Sequence, residues 1–265
     1  MKGSGNDMTV KNKTIKNKNK ITDNNNIDII YWINMDKSRT RRIHMKKLLK
    51  NDIFRHIEKK RIKAVDGSKP NIETELSSIF ENMDLCKYNL KEYAGLLSHL
   101  NTLIEFSNSN NNIALIFEDD VSLEYKKYWT ESIQQVIQNA PKNWDVLQLS
   151  ININKNSVLA KYVKKPLYVK GCAACAAAYI INKQGVLRFL HKVRKNGKFI
   201  LHKNTEHYAD IYMFENMNTY VYRYPMFTYI IKDSTQHPDH LVSHAQSKQI
   251  VDELVKKHYD DTINS

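Results

Sequence analysis

The stretch Ile113-Ala-Leu-Ile-Phe-Glu-Asp-Asp-Val121 is a short apolar run that leads directly into three acidic residues. Its length and composition predict a buried strand with Glu118, Asp119 and Asp120 at the carboxyl end. In parallel sheets, ligands bind beyond the carboxyl ends of the strands. Adjacent carboxylates repel one another unless a cation lies among them, and their hard oxygens suit Mg²⁺ or Mn²⁺. A solvated acidic turn is the alternative, but the position after this strand favours a metal site.

Outward from this strand, apolar runs of strand length alternate with helical patterns. The predicted strands are 27–33, 61–65, 113–117, 144–149, 176–181 and 220–224. The first predicted helix is capped by Ser38, and the others lie around 96–104, 125–140, 186–190, 208–217 and 250–258. This alternation predicts an α/β fold with a mainly parallel, Rossmann-type sheet flanked by helices.

Residues 1–26 differ in composition from the rest of the chain. They are dominated by Lys, Asn and Thr and have little apolar surface to bury, so we expect a flexible basic tail before a domain at 27–265.

No apolar run long enough to span a membrane and no apolar signal segment is found, which predicts a cytoplasmic protein. Cys86, Cys172 and Cys175 are too few for a disulfide framework, and we interpret the C-x-x-C as small core residues rather than a redox pair or half a zinc site.

The net charge of +13 comes essentially from two segments, 1–20 and 36–63. Such charge attracts nucleic acid, anionic membranes or a phosphate-bearing substrate, or it reflects coding bias alone. A non-enzymatic, basic nucleic-acid-binding module is therefore the alternative hypothesis for function. The chain contains no known nucleic-acid-binding motif, so no specific nucleic acid is expected as a partner.

Two more predicted strand ends carry polar residues. Asn34 and Asp36 precede an arginine-rich helix start, which is a natural place for the base, ribose or phosphates of a nucleotide. Asp66 after the next strand can accept hydrogen bonds from ribose or a base, and Gly67 permits close approach. Taken alone, the first segment is more typical of a solvated basic helix and the second of an ordinary turn.

Together these segments resemble glycosyltransferase family 25, the lipopolysaccharide and procollagen galactosyltransferase-like enzymes. The matching elements stand in the family's order, within about residues 27–230: Ile33-Asn34-Met35 with Arg39 and Arg42, Ala64-Val65-Asp66-Gly67, Gly95-Leu-Leu-Ser98-His99, Glu118-Asp119-Asp120 and Ala178-Tyr-Ile-Ile-Asn-Lys-Gln-Gly185. The chain departs from the family at Leu96, where a Cys is usual, and in the stretch after Tyr224. The acceptor end of the site is therefore the least transferable part.

The resemblance implies a GT-A-like fold, a UDP-sugar donor carrying galactose or glucose, Mn²⁺ or Mg²⁺, and inverting transfer to a hydroxyl of a glycan or of a hydroxylysine-type protein side chain. The donor-site residues that it implies are Asn34, Asp36, Arg39, Arg42, Val65, Asp66, Gly67, Ser98, His99 and Asp119. The metal ligands that it implies are Glu118 and Asp120, with His237 and His240 from a histidine-dense stretch, and the general base is Asp210.

Alternatives stay open for several of these residues. His99 lies beside the apolar face of its helix, so a structural hydrogen bond is as plausible as donor contact. His237 and His240 equally fit a polar surface loop, and a helix cap or an ion pair fits Asp210 nearly as well as the role of base. A nucleotidyl- or phosphoryltransferase would share the metal site, although the chain has no P-loop. Acceptor, oligomeric state and sugar are not fixed by these patterns.

Overall fold

The computed structural model describes residues 27–83, 89–202, 208–231 and 241–265. The strands of this part are β1 (Ile29–Asn34), β2 (Glu58–Lys63), β3 (Phe80–Glu81), β4 (Ile113–Glu118), β5 (Val121–Ser122), β6 (Val146–Gln148), β7 (Tyr168–Lys170), β8 (Ala178–Asn182), β9 (Arg194–Lys195), β10 (Lys198–Ile200), β11 (Thr219–Tyr222) and β12 (Thr228–Tyr229). Its α-helices are α1 (Arg39–Leu48), α2 (Ile72–Ile79), α3 (Leu90–Asn108), α4 (Ile133–Gln138), α5 (Lys183–Val193), α6 (Ala209–Phe214) and α7 (Leu241–Ile263).

The centre of the fold is a seven-stranded sheet with the order β2-β1-β4-β8-β6-β11-β7. Strands β2, β1, β4, β6 and β11 point the same way, whereas β8 and β7 run against their neighbours. The prediction of an α/β fold with a mainly parallel sheet flanked by helices is confirmed. Two small sheets, β3-β10-β9 and β12-β5, lie outside it.

Both faces of the central sheet are covered, and β1 shows how. Ile29, Tyr31 and Ile33 belong to one apolar layer, with the buried face of α3. Ile30 and Trp32 belong to the opposite layer, with residues of α1 and α4. Alternate residues of a strand point to opposite faces, so a wholly apolar strand fits between two layers of helices. Ligands therefore reach the sheet at its edges rather than at its faces.

Several local elements differ from the sequence-based expectation. The helix predicted at 125–140 is instead a 3-10 helix, Glu124–Tyr128, followed by α4, because Ser132 starts a new helix with a capping box. Ser38 stands at the N-cap position of α1, but its side chain makes no capping hydrogen bond. Strand β2 ends before Val65, whose N–H donates to the Ser98 hydroxyl rather than to the sheet.

Some expectations concern residues outside the described ranges. The tail at 1–26, Cys86, His237 and His240 are among these residues. In the described part, Cys172 and Cys175 carry free, half-buried thiols. None of the described helices combines the length and the apolar composition needed to cross a bilayer.

Candidate functional site

The carboxyl ends of three parallel strands meet at one edge of the sheet. In the register of β1 with its two neighbours, Ile33 pairs with Glu118 and Asn34 pairs with Lys63. The acids at the end of β4 therefore lie beside the loop after β1, as the sequence pattern predicts.

Arg41 and Asn34 hold the middle acid of the triplet. Asp119 is buried and accepts a hydrogen bond of 2.6 Å from the Asn34 amide and one of 2.8 Å from the Arg41 guanidinium. Arg41 also donates to Asp120 Oδ2 at 3.2 Å. Since both oxygens of Asp119 already have donors, this residue organises the site more readily than it contacts a ligand.

Asp120 is the least satisfied of the three acids. Its Oδ1 is shielded from solvent and has no hydrogen-bond partner among the described residues. Burial, followed by repulsion from Glu118, raises the pKa of Asp120 to about 7, although Arg41 opposes the rise. A buried carboxylate oxygen without a donor is unfavourable unless a cation or proton occupies it. This oxygen is the feature that fits a bound cation.

Two cavities adjoin these acids. The first, of about 320 Å³, is lined by Asp210 and by a wall of small residues at 174–177, and we call it the Asp210 cavity. The second, of about 180 Å³, is lined by Ala64, Val65 and Ser98, and we call it the Val65 cavity. The residues that line both are Gly95, His99, Glu118, Asp120 and His244. Glu118 and Asp120 thus lie where the two cavities adjoin.

Glu118 is half-exposed, and a hydrogen bond links its carboxylate to the buried His99. His99 Nε2 lies 3.1 Å from Glu118 Oε1, and its Nδ1 lies 3.0 Å from the Tyr179 hydroxyl. His99 thus makes structural hydrogen bonds and also lines both cavities.

Asp210 lies in the first turn of α6 and lines its cavity together with Glu118 and Asp120. One oxygen accepts the Cys175 N–H at 2.5 Å and the other accepts the Ile211 N–H at 2.9 Å. Burial raises the pKa of Asp210, although these two backbone hydrogen bonds oppose it. A carboxylate whose pKa is raised is a stronger base, which suits proton abstraction.

The polar residues at and just after the end of β1 form hydrogen bonds and ion pairs with other protein groups. Asn34 donates to Asp119 and to the Ser38 carbonyl, while its own oxygen accepts from Arg42 and Arg61. Asp36 is half-exposed, and Lys63 and Arg61 lower its pKa to about 2. Asn34 lines the Val65 cavity, but its contacts favour a positioning role over direct ligand binding.

Arg39 and Arg42, the two α1 arginines predicted to contact the donor, line neither cavity. Arg39 is exposed and lines neither cavity, and Arg42 bonds Asn34 and Asp36. Arg41, which the sequence did not single out, is the arginine that reaches the acids.

Asp66 and Gly67, in the turn after β2, contact other parts of the protein and line neither cavity. Asp66 pairs with Lys37 and Ser68 and lines neither cavity. A Cβ on Gly67 would stand 2.6 Å from the Lys91 Cα, so the glycine permits the close approach of α3 rather than of a ligand. Val65 and Ser98 do line the smaller cavity and are bonded to each other.

The residues that sequence reasoning missed are Arg41, Tyr179 and His244. Arg41 was visible as part of the basic helix start, and His244 as part of the histidine-dense stretch. Tyr179 carried no signal of its own, because its link to the site depends on the pairing of β8 with β4.

The basic residues of 36–63 are largely paired within the protein. Lys60 bonds Glu105, Arg55 bonds Asp52, and Lys63 bonds Asp36. Such pairing lowers the local excess of positive charge without removing it, since Arg42, Arg61 and Lys63 share the single carboxylate of Asp36.

The described residues contain no cluster of three or more His, Cys, Asp or Glu side chains suited to hold a metal by themselves. Glu118 and Asp120 offer two carboxylates at one place. This donor set fits Mg²⁺ or Mn²⁺, since such cations often bind through one or two carboxylates and complete their shell with water and substrate phosphates.

Comparison with known proteins gives a match to the family described as glycosyltransferase family 25 (LPS biosynthesis protein), over residues 27–213. That range includes every predicted site residue that the structure describes. Among solved structures, the chain is similar to the crystal structure of a glycosyltransferase involved in the glycosylation of the major capsid of PBCV-1, with a TM-score of 0.43, 10% identity, and coverage of 84% of this chain and 97% of that chain. No curated protein sequence matches the chain.

Proposed function

This chain belongs to glycosyltransferase family 25, and we propose that it transfers a hexose, galactose or glucose, from a UDP-sugar to a hydroxyl acceptor on a glycan or protein, with inversion at the anomeric carbon. The observation that carries the proposal is the pair of cavities that meet at Glu118 and Asp120. This layout suits a UDP-sugar, because the diphosphate of such a donor lies between the uridine and the sugar.

In this proposal the uridine occupies the Val65 cavity. Val65 provides an apolar contact for the base there, and Ser98 fixes the backbone of that loop. The diphosphate lies at Glu118 and Asp120, and the sugar extends into the Asp210 cavity. Arg41, paired with Asp119 and Asp120, keeps the acids in place and reduces their mutual repulsion.

Glu118 and Asp120 would hold Mn²⁺ or Mg²⁺ through their carboxylates. Bound there, the cation would offset the negative charge of the diphosphate as UDP departs. The unpartnered Oδ1 of Asp120 supports this assignment.

Asp210 is the proposed base. The acceptor oxygen attacks the anomeric carbon from the side opposite UDP, the bond from that carbon to the UDP oxygen breaks with its electron pair, and the acceptor proton passes to the Asp210 carboxylate. The hydrogen bonds from Cys175 and Ile211 fix the orientation of this carboxylate. The small side chains at 174–177 line the same space and leave room for the sugar and the acceptor.

The test is nucleotide release from a panel of UDP-, GDP- and CMP-sugars, each with Mn²⁺ and with EDTA. We expect release from UDP-galactose or UDP-glucose that EDTA abolishes and that Asp120→Asn loses. Asp52→Asn, which alters an exposed acid on the surface, is the matched control and should keep full activity. Transfer that survives EDTA would refute the metal assignment. Nucleotide release from a GDP- or CMP-sugar alone would refute the assignment of a UDP-sugar as the donor.

A further inference from the structure

We infer that Tyr179 and His99 form a hydrogen-bond relay that positions the Glu118 carboxylate at the junction of the two cavities. The inference rests on the proposed function for the role of Glu118. It assigns His99 as a positioning residue, and it brings in Tyr179, which lines neither cavity.

The relay joins three separate elements of the fold. The Tyr179 hydroxyl of β8 lies 3.0 Å from Nδ1 of His99 on α3, and Nε2 of the same ring lies 3.1 Å from Oε1 of Glu118 at the end of β4. Tyr179 and Ile116 are paired residues on the adjacent strands, so the first and last members are fixed to the same sheet.

The direction of each hydrogen bond follows from the chemistry of the partners. An ionised Glu118 carboxylate only accepts, so Nε2 must carry a hydrogen. In a neutral ring Nδ1 then has no hydrogen and accepts from the Tyr179 hydroxyl. Burial, followed by the charge of Glu118, raises the pKa of Tyr179 well above its usual range, which keeps that hydroxyl protonated. The Glu118 carboxylate thus fixes the ring tautomer, and the Tyr179 hydroxyl completes the relay by donating to Nδ1 and holding the ring in place.

Burial decides which member of the relay is ordered by the others. Tyr179 is fully buried and packs edge-on against Phe214, with ring centroids 5.1 Å apart. The side chain of His99 is only 4% exposed, whereas that of Glu118 is 37% exposed. Glu118 is therefore the member with rotational freedom to lose, and the two rigid members supply the constraint.

The relay leaves one oxygen of Glu118 for a ligand. Oε1 accepts from His99, and among the described residues Oε2 has no side-chain hydrogen bond. Partners that orient a ligating carboxylate typically contribute 10- to 100-fold to metal affinity. Tyr179→Phe removes only the hydroxyl that fixes the ring, so the expected effect is about tenfold.

The first experiment compares Mn²⁺ binding, measured by titration calorimetry in the presence of UDP, among the wild type, Tyr179→Phe and Tyr168→Phe. Tyr168→Phe is the matched control, because it also removes a tyrosine hydroxyl hydrogen bond, of 2.6 Å to Val136, but away from both cavities. We expect about tenfold weaker Mn²⁺ binding in Tyr179→Phe alone, with turnover restored by raising Mn²⁺. Equal affinities in the two variants would overturn the relay.

The second experiment needs no variant. Nitrogen chemical shifts of the His99 ring in the metal-free wild type at pH 8 should report hydrogen on Nε2 and not on Nδ1. Hydrogen on Nδ1 alone would overturn the relay, even in an active, Mn²⁺-dependent enzyme. If the wild type binds no Mn²⁺, the metal assignment of the proposed function fails, and the ring tautomer still decides whether the relay exists.

Discussion

Replacing Asp120 by Asn should make the metal-free protein more stable while abolishing transfer. Asp120 has a pKa raised from 3.8 to about 7 by burial and by Glu118. A difference of about 3 in pKa between the folded and unfolded states corresponds to about 4 kcal/mol, by which ionisation of Asp120 destabilises the folded protein. Since its side chain is 20% exposed, we expect Asp120→Asn to gain on the order of 2–4 kcal/mol above neutral pH, or about 5–10 °C in Tm.

The pH dependence of this gain has a definite sign. Below pH of about 4 the carboxyl of Asp120 is protonated in both states, so ionisation costs nothing there. The cost grows as the pH rises from about 4 to about 7 and is constant above that range. The stability advantage of Asp120→Asn should therefore be full at pH 8 and small at pH 4.5.

The assay is urea unfolding with EDTA at pH 8 and pH 4.5, together with UDP release in Mn²⁺. Asp119→Asn is the contrasting variant, because Asp119 accepts from Asn34 and Arg41 and an amide nitrogen in its place would meet a donor. We expect Asp119→Asn to lose about 1–3 kcal/mol. A loss of stability in Asp120→Asn at pH 8, or a gain that is equal at both pH values, would refute the reasoning.

Three further predictions test the base, the fold and the domain boundary. Asp210→Asn should reduce turnover by roughly 100- to 10,000-fold with unchanged UDP affinity, and near-normal turnover in a folded variant would remove Asp210 from the mechanism. Gly67→Ala should cost about 1–3 kcal/mol in thermal unfolding, because the new Cβ would meet the α3 backbone at Lys91; an unchanged Tm would show that the turn can move away. Deleting residues 1–26 should leave Tm and UDP affinity unchanged, since that composition has little apolar surface to bury, and an unfolded product would place the domain boundary elsewhere.

The fold and the position of the acids could be predicted from the sequence because both depend on local patterns. An apolar run such as 113–117 is compatible with a strand covered on both faces, and the carboxyl ends of parallel strands meet at one edge. The split of the helix predicted at 125–140 was also readable, since Ser132 and Gln135 have the spacing of a capping box.

The identity of the acids' partners could not be predicted, because it depends on contacts between distant parts of the chain. Which arginine of α1 reaches the acids is decided by the rotation of the helix against the sheet, and neighbouring positions point about 100° apart. Tyr179 meets His99 only through the antiparallel pairing of β8 with β4. Gly67 likewise acquires its role from the packing of α3, which the turn motif alone does not reveal.

The distribution of hydrogen-bond donors around the acids explains why this strand end suits ligand binding. Asp119 receives two donors, Glu118 receives one from His99, and Arg41 reaches Oδ2 of Asp120, but Oδ1 of Asp120 receives none. A fold selected only for stability would supply a donor to that oxygen or replace the acid, because a buried, unpaired carboxylate is destabilising. The apolar layers on both sides of the sheet offset this local cost. Asp120 therefore combines a buried oxygen that lacks a donor with a position on the lining of both cavities, which suits the proposed cation bound together with a diphosphate.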